Sequence, residues 1–450
     1  MGCKMDNKTI YALSTLFGKS GVAVVRVSGR QAFSVFDKMT DIKSTTVVGR
    51  KMYHSAIYDS VSHETLDDAL IVGFKAPHSF TGEDTVEINC HGSKAVIRSV
   101  LSALSALPDF RLAEAGEFSR RAFYNGKMDL TEADGLADLI DAETKIQQKT
   151  ALRQMGGTLF NLYESWRSEL VAMLAYLEAF IDFPDEEIPQ DTVLKIENTV
   201  FKLIGEISAH IEDNKIEERL RDGFQVVISG PTNAGKSSLI NAIVRRNVAI
   251  VSDIAGTTRD VIDAYVDING FPVIFSDTAG LRKSDDAVEQ MGIKLAQDKI
   301  AAADFNIFLF DAQNTSPEIF AEYCRNSENY MLVANKSDKL TSAQKQELSQ
   351  KGCLLISAKN NDNICAIINC LSSYFDSVYQ QSSMSLITRH RYKEALLECL
   401  DNLRRFSLQK EIELSAEDIR LACRAIGKIT GRVEVDEILD KIFSSFCIGK

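Results

Sequence analysis

Apolar positions change period several times along this chain, and each change predicts a different kind of structure. Near the start they form short β-branched runs or alternate with polar residues, so residues 22–27, 69–74 and 85–89 each predict a strand. Val96, Ile97, Val100, Leu101 and Leu104 then fall at the steps of an amphipathic helix over 94–107. From 121 onward helical spacing takes over. Residues 159–181 read as a helix that must end where Pro184 and Pro189 follow. Val193, Ile196, Val200, Leu203, Ile204, Ile207 and Ile211 form one stripe of another long helix. Short apolar runs return at 225–228, 273–275, 306–310, 331–334 and 354–356, mostly with helical segments between them. That is the doubly wound order, which places ligands at the carboxyl ends of the strands. After 380, Leu396, Leu397, Leu400 and Leu403 restore a helical face, Ser415 reads as an N-cap and Thr430-Gly431 as a helix stop.

The expected fold is multidomain α/β plus all-α. It comprises a mixed α/β domain (1–120), a helical domain in two pieces (121–220 and 381–450), and a doubly wound domain (221–380) inserted between the pieces. A length of 450 residues agrees, being too long for one ordinary core. No apolar run approaches the ~20 residues of a membrane span, and the first residues lack the apolar core of a signal peptide. The nine cysteines are scattered without a C-x-x-C pair, and the six histidines form no H-x-x-x-H cluster. Reduced thiols in the cytoplasm, with no membrane and no zinc site, are expected. A net charge of −12 argues against a broad basic surface for nucleic acid, so any RNA contact is expected to be local or shared with a partner.

The candidate chemistry sits where the inserted domain's strands end. Gly230 to Ser237 spells G-x-x-x-x-G-K-S between a strand and a helix begun by Leu239, Ile240 and Ile243. Gly230 and Gly235 let the backbone turn tightly, so Asn233, Ala234, Gly235, Lys236, Ser237 and Ser238 can surround phosphates. The helix adds its positive end, Lys236 a charge, and Ser237 a Mg²⁺ ligand. Asp277-Thr278-Ala279-Gly280 follows another strand; Asp277 can hold Mg²⁺ through water and Gly280 can swing toward a γ-phosphate. Asn335-Lys336-Ser337-Asp338 follows a third. A carboxylate such as Asp338 accepts from both N1–H and the 2-amino group of guanine, donors that adenine lacks. Ser357, Ala358 and Lys359 complete the base pocket by backbone contact. In this order, the motifs predict a GTP-binding domain.

With these motifs the chain resembles the translation-factor-like class of P-loop GTPases. Asn233 and the stretch Ser252, Asp253, Ile254, Ala255, Gly256, Thr257 and Thr258 look like its potassium-dependent branch. The resemblance implies nucleotide contacts along that stretch. It implies K⁺ held by Asn233, Ser252, Ile254 and Thr257, and Thr258 joining Ser237 on Mg²⁺. A cation there would neutralise charge between the β- and γ-phosphates, the job of an arginine finger. Leu281 stands where a water-orienting glutamine would be convenient, and the resemblance assigns catalysis to Glu289. Read alone, Glu289 is an ordinary solvated glutamate in a charged helix.

The flanks narrow the resemblance. Arg26-Val-Ser-Gly29, Ser79-Phe-Thr-Gly-Glu-Asp84, His91-Gly92, Gly116-Glu-Phe-Ser119, Arg121-Ala-Phe123, Lys127-Met-Asp-Leu130 and Phe446-Cys-Ile-Gly-Lys450 are similar to the MnmE (TrmE) family of tRNA modification GTPases. Ser93 stands where that family commonly has a second glycine. The similarity runs over nearly the whole chain. It implies an N-terminal domain for dimerisation and for a tetrahydrofolate derivative (5-formyl or methylene), bound by Arg26, Glu87 and Lys127 with Lys450 nearby. Cations at Arg26 and Lys127 suit folate carboxylates, and Glu87 can accept from a pterin ring. Cys447 is either a nucleophile or an incidental thiol. The implied activity is K⁺-dependent hydrolysis of GTP by a homodimer. With an FAD-containing partner of the MnmG/GidA type, in a heterotetramer, it would add a carboxymethylaminomethyl group to C5 of the wobble uridine of certain tRNAs. The alternative is a regulatory or ribosome-assembly GTPase switch whose flanks only dock partners.

Overall fold

Alternation along the N-terminal strands builds the first sheet. The computed structural model describes residues 7–183, 190–212, 219–246, 263–277, 298–321, 324, 327, 329–381, 389–433, 439, 442, 443, 446 and 449. The strands are β1 (Thr9–Leu13), β2 (Ser20–Ser28), β3 (Met52–Tyr58), β4 (Thr65–Phe74), β5 (Thr85–Gly92) and β6 (Phe110–Leu112), in the order β3-β4-β5-β2-β1-β6. Neighbours are antiparallel except for β1 with β6. Helix α1 (Ser34–Met39) follows β2, and α2 (Lys94–Ser105) follows β5. Ala23, Val25 and Val27 of β2 are fully buried in one core with Ile97, Val100 and Leu104 of α2. The two-residue period of the strand puts Val24 and Arg26 on the other face. There, the antiparallel register sets Arg26 opposite Glu87 of β5.

Further helices are α3 (Glu117–Tyr124), α4 (Leu130–Asp141), α5 (Lys145–Met155), α6 (Thr158–Asp182) and α7 (Gln190–Glu212), followed by α8 (Lys236–Arg246), α9 (Ser342–Gln350), α10 (Ile364–Gln381), α11 (His390–Arg405) and α12 (Ile412–Thr430). By compactness the chain forms two units. One comprises Met1–Ala137, Gln154–Glu186 and Phe406–Lys450, and the other Asp138–Arg153 and Glu187–Arg405.

In the first unit α6 buries Leu159, Tyr163, Trp166, Leu170, Met173 and Leu177, a 4-3-4-3-4 spacing that makes one continuous stripe. It packs against α12, whose buried Ala416, Ala422 and Ala425 let the two backbones approach closely. The expected breaks hold: α6 stops at Asp182, just before Pro184, and α7 opens at Gln190, just after Pro189. The C-terminal stop at Thr430-Gly431 holds as well, with Gly431 at φ 81°. Ser415 is not the N-cap. Helix α12 begins three residues earlier at Ile412, and the Ser415 hydroxyl donates back to the Ser407 carbonyl from inside the first turn. Such back-bonding by serine competes with the cap role that its type suggests.

The second unit holds the inserted sheet, β12-β11-β10-β7-β9-β8, from β7 (Phe224–Ser229), β8 (Asp263–Ile268), β9 (Phe271–Asp277), β10 (Phe305–Asp311), β11 (Tyr330–Asn335) and β12 (Leu354–Leu355). All neighbours are parallel except β8 with β9. Both faces are covered, as a parallel sheet requires. Val226, Ile228, Ile307 and Leu309 join a core with Leu239 and Ile243 of α8 and Leu371 of α10. Val227, Phe308 and Phe310 point into a second core with Leu340 and Leu348. Among the described residues no helix is long and apolar enough to cross a membrane.

Candidate functional site

β7 lies between β9 and β10. The connection from β7 leads to the β8–β9 side, and that from β9 crosses to β10 on the other. The carboxyl end of β7 therefore lies at the topological switch point where doubly wound sheets bind ligands. The loop that follows is built from close contacts only glycine can make. A Cβ on Gly230 would stand 1.9 Å from the Leu309 carbonyl oxygen; on Gly235, at φ 98°, it would stand 2.3 Å from Asn335 Nδ2. Asn233 takes the left-handed region at φ 64°, which asparagine tolerates. Lys236 Nζ donates to the carbonyls of Gly230 (2.8 Å) and Pro231 (3.0 Å), so the buried ammonium sits against the loop itself. At the start of α8, Ser237 Oγ donates to Asp277 Oδ2 at 3.3 Å. A hydroxyl and a carboxylate converging at the phosphate loop are hard oxygen donors that fit Mg²⁺.

Three loops meet at Asn335. Its Nδ2 donates to the Ala234 carbonyl at 2.7 Å, and its Oδ1 accepts from the N–H groups of Lys336 (2.8 Å) and Ala358 (3.0 Å). One amide thereby ties the phosphate loop to both base-binding loops. Lys336, at φ 64°, donates through Nζ to the Asn233 carbonyl (3.0 Å) and to Asp311 Oδ2 (2.7 Å). Asp338 is exposed, and the Ser357 hydroxyl donates to its Oδ1 at 2.6 Å. That hydrogen bond, first among several causes, holds the Asp338 carboxyl below the usual carboxylate range. A carboxylate kept ionised and oriented is what recognition of the guanine edge needs. Burial pushes the Asp311 carboxyl up, but the Lys336 ammonium and the Gln313 N–H outweigh it and leave it low.

A second arrangement lies in the first unit, where the N-terminal motifs converge. Arg26 Nε meets Glu87 Oε1 at 2.9 Å, both side chains largely covered. The Arg26 guanidinium also lies 5.3 Å from the Phe80 ring centre and 5.8 Å from that of Phe118. Arg26 and Glu87 thus form a combined ion pair beside two aromatic rings, not the separate cation and anion that the sequence suggests. Beneath it, Ser28 Oγ bonds with Thr81 Oγ1 and donates to Glu83 Oε2, while Arg121 pairs with Glu83 and Glu117. Lys127 is exposed and donates to the Pro77 carbonyl at 3.1 Å. The Ser14 hydroxyl donates to the Gly449 carbonyl, which brings the C-terminal stretch to the end of β1.

Asn233 to Ser238, Asp277, Asn335 to Asp338 and Ser357 to Lys359 thus gather around the ends of β7, β9, β11 and β12. Residues 252–258, 278–280, 289, 447 and 450 lie outside the described residues. Asp311 and the bracing amide of Asn335 were not legible as such. Asp311 is 25 residues from its lysine, and only an acidic residue closing an apolar run hinted at it.

The family profile described as "GTP-binding protein TrmE N-terminus" matches residues 9–127, and that described as "MnmE helical domain" matches residues 130–447. The tRNA modification GTPase MnmE of Rickettsia bellii is 45% identical over 446 residues, 98% of this chain and 100% of that protein. The protein of the same name from Rickettsia akari is 44% identical over 446 residues, with the same shares. Among solved structures, Era of Aquifex aeolicus bound to GDP.AlF4- aligns with 33% of this chain and 56% of its own, at 28% identity and a TM-score of 0.27.

Proposed function

Because this chain belongs to the MnmE family of tRNA modification GTPases, we propose that its GTP hydrolysis is potassium-dependent and serves wobble-uridine chemistry. With an FAD-containing partner of the MnmG type, in a heterotetramer built on its own homodimer, it adds a carboxymethylaminomethyl group to C5 of the wobble uridine of certain tRNAs. The reaction takes place in the cytoplasm. A tetrahydrofolate derivative held by the first unit supplies the one-carbon group. Residues 221–380 form the GTPase domain, between the helical pieces 121–220 and 381–450 that follow the folate domain at 1–120.

The observation that carries this reading is the Arg26–Glu87 pair set against Phe80 and Phe118, with the motif residues Ser28, Thr81, Glu83 and Arg121 locked beneath it. Flat aromatic walls beside a carboxylate and a guanidinium suit a pterin and its acidic tail. A GTPase that acts only as a regulatory or ribosome-assembly switch has no need of them. Lys127 and Lys450 complete this set.

In the GTPase domain, Ser237 and Asp277, with Thr258, would hold Mg²⁺, which when bound would supply positive charge against the terminal phosphates. Asn233 is exposed at the rim of the phosphate loop, where its amide oxygen suits a monovalent cation shared with Ser252, Ile254 and Thr257. Residues 252–258 and 278–280 contribute nucleotide contacts, and Glu289 orients the attacking water. Asp338 reads the base. Nucleoside analysis of tRNA from a strain lacking this protein tests the reading. We expect wobble uridines without the C5 group, restored by the wild-type protein. Unchanged modification would leave the regulatory switch.

A further inference from the structure

We propose that Asp311 is a positioning residue for guanine nucleotide, acting through Lys336 on the phosphate loop. β10 and β11 run parallel with Asp311 paired in register to Asn335, so Asp311 ends its strand beside the first residue of the base-binding motif. Its carboxylate is fixed before it meets the lysine. Oδ1 accepts from the Gln313 N–H at 3.0 Å and Oδ2 from the Asn314 amide at 3.2 Å, both from the turn that closes β10. Oδ2 then takes the Lys336 ammonium at 2.7 Å, with side chains 15% and 30% exposed. A pair this covered is screened by salt much less than one on open surface.

Lys336 is the piece that needs holding. Its four-carbon stem is flexible, and the ammonium is a compact donor strongly drawn to water. Asp311 gives it a charged anchor, which leaves a second N–H for the Asn233 carbonyl at 3.0 Å. Asn233 and Lys336 both occupy the left-handed region, so the bond joins two backbone turns that are each unfavourable for most residues. Asn335 supplies the neighbouring tie, to Ala234, and Asp338 follows two residues after Lys336. Asp311 therefore keeps the phosphate loop and the guanine loop in one frame from outside both motifs. The inference rests on guanine-nucleotide binding alone. Failure of the potassium or tRNA readings leaves it standing, and its own failure leaves them standing.

The test is binding of fluorescently labelled GDP to the full-length protein, paired with steady-state GTP hydrolysis. Loss of one charge-assisted hydrogen bond predicts that Asp311→Ala weakens GDP binding by about tenfold, and Asp311→Asn by less. The loss should fall on KM for GTP more than on kcat. In a Lys336→Ala background, Asp311→Ala should cost no further affinity, because the residue acts through that lysine. Wild-type affinity in Asp311→Ala would overturn the proposal. So would two losses that add in the double variant, since Asp311 would then act by another route. If Asp311→Ala does not fold, Asp311→Asn carries the same cycle: additivity there overturns the proposal and non-additivity supports it.

Discussion

Single amides and hydroxyls brace the nucleotide site alongside its charged groups. Asn335 satisfies three backbone groups, one in its own loop and one in each of two others, and Ser357 orients the Asp338 carboxylate. Asn233 belongs to the same class, with its carbonyl taken by Lys336 and its residue exposed at the loop rim. If its side chain helps to hold potassium, hydrolysis should run faster in KCl than in NaCl at equal ionic strength, by a factor on the order of ten or more. Asn233→Ala should flatten that difference. Equal rates in the two salts, or stimulation that survives the substitution, would remove potassium from the mechanism. The contiguous motifs around these residues were legible because each needs its letters at fixed spacing on one loop. The ties between loops were not. The partners of Asn335 lie 101 and 23 residues away, and only the sheet register brings them together.

At the scale of elements, glycine is tested in opposite senses at two positions. Gly230 directly follows β7 with no room toward Leu309, so Gly230→Ala must push β7 and β10 apart. A loss of at least about 3 kcal/mol in denaturant unfolding is expected. Gly205 lies inside α7 with open space around it, so Gly205→Ala should stabilise by about 0.5–1 kcal/mol through helix propensity. Two changes of the same sign would show that packing at these sites is misread. The legible elements were those with a clean period or run, such as α2, α6, α7, the β-branched core of β7 and the aromatic and aliphatic run of β10. β1 escaped because Thr9–Leu13 is almost wholly buried and has no alternation to betray it. β3 escaped for the converse reason: Met52 is exposed and only Ile57 is buried, so its pattern resembles a loop. The start of α12 was misplaced because Ser415 had two competing uses for its hydroxyl, and backbone carbonyls won.

Across the whole molecule, acidity shapes the pH response. The net charge is −12, yet one buried carboxylate should stand out. Glu117 is 8% exposed; burial raises its pKa, but hydrogen bonds from Arg111, the Glu114 N–H and Arg121 outweigh that and hold it low. A carboxyl with a depressed folded-state pKa adds stability above its unfolded value of about 4.3, and loses it as pH falls through the folded value. Glu117→Gln leaves Arg121 buried with a weaker partner, for a deficit of about 3 kcal/mol near neutrality. The gap between the thermal melts of the two proteins should therefore hold from pH 7 to about 5 and close as pH is lowered below about 4.3. A gap that stays constant would show that the charge of Glu117 is not what matters.

The contact of Gly116 with Phe443, and of Ser14 with Gly449, also sets a timetable for synthesis. The second unit is written out once Arg405 has been made, whereas the first still waits for residues from 406 onward. At about 5–20 residues per second, β1 spends tens of seconds on the ribosome before its C-terminal neighbours exist. The GTPase sheet can thus be folded while the motif residues around Arg26 still lack their C-terminal support. The order of synthesis therefore allows a nascent chain to gain its nucleotide site before the N-terminal unit is closed.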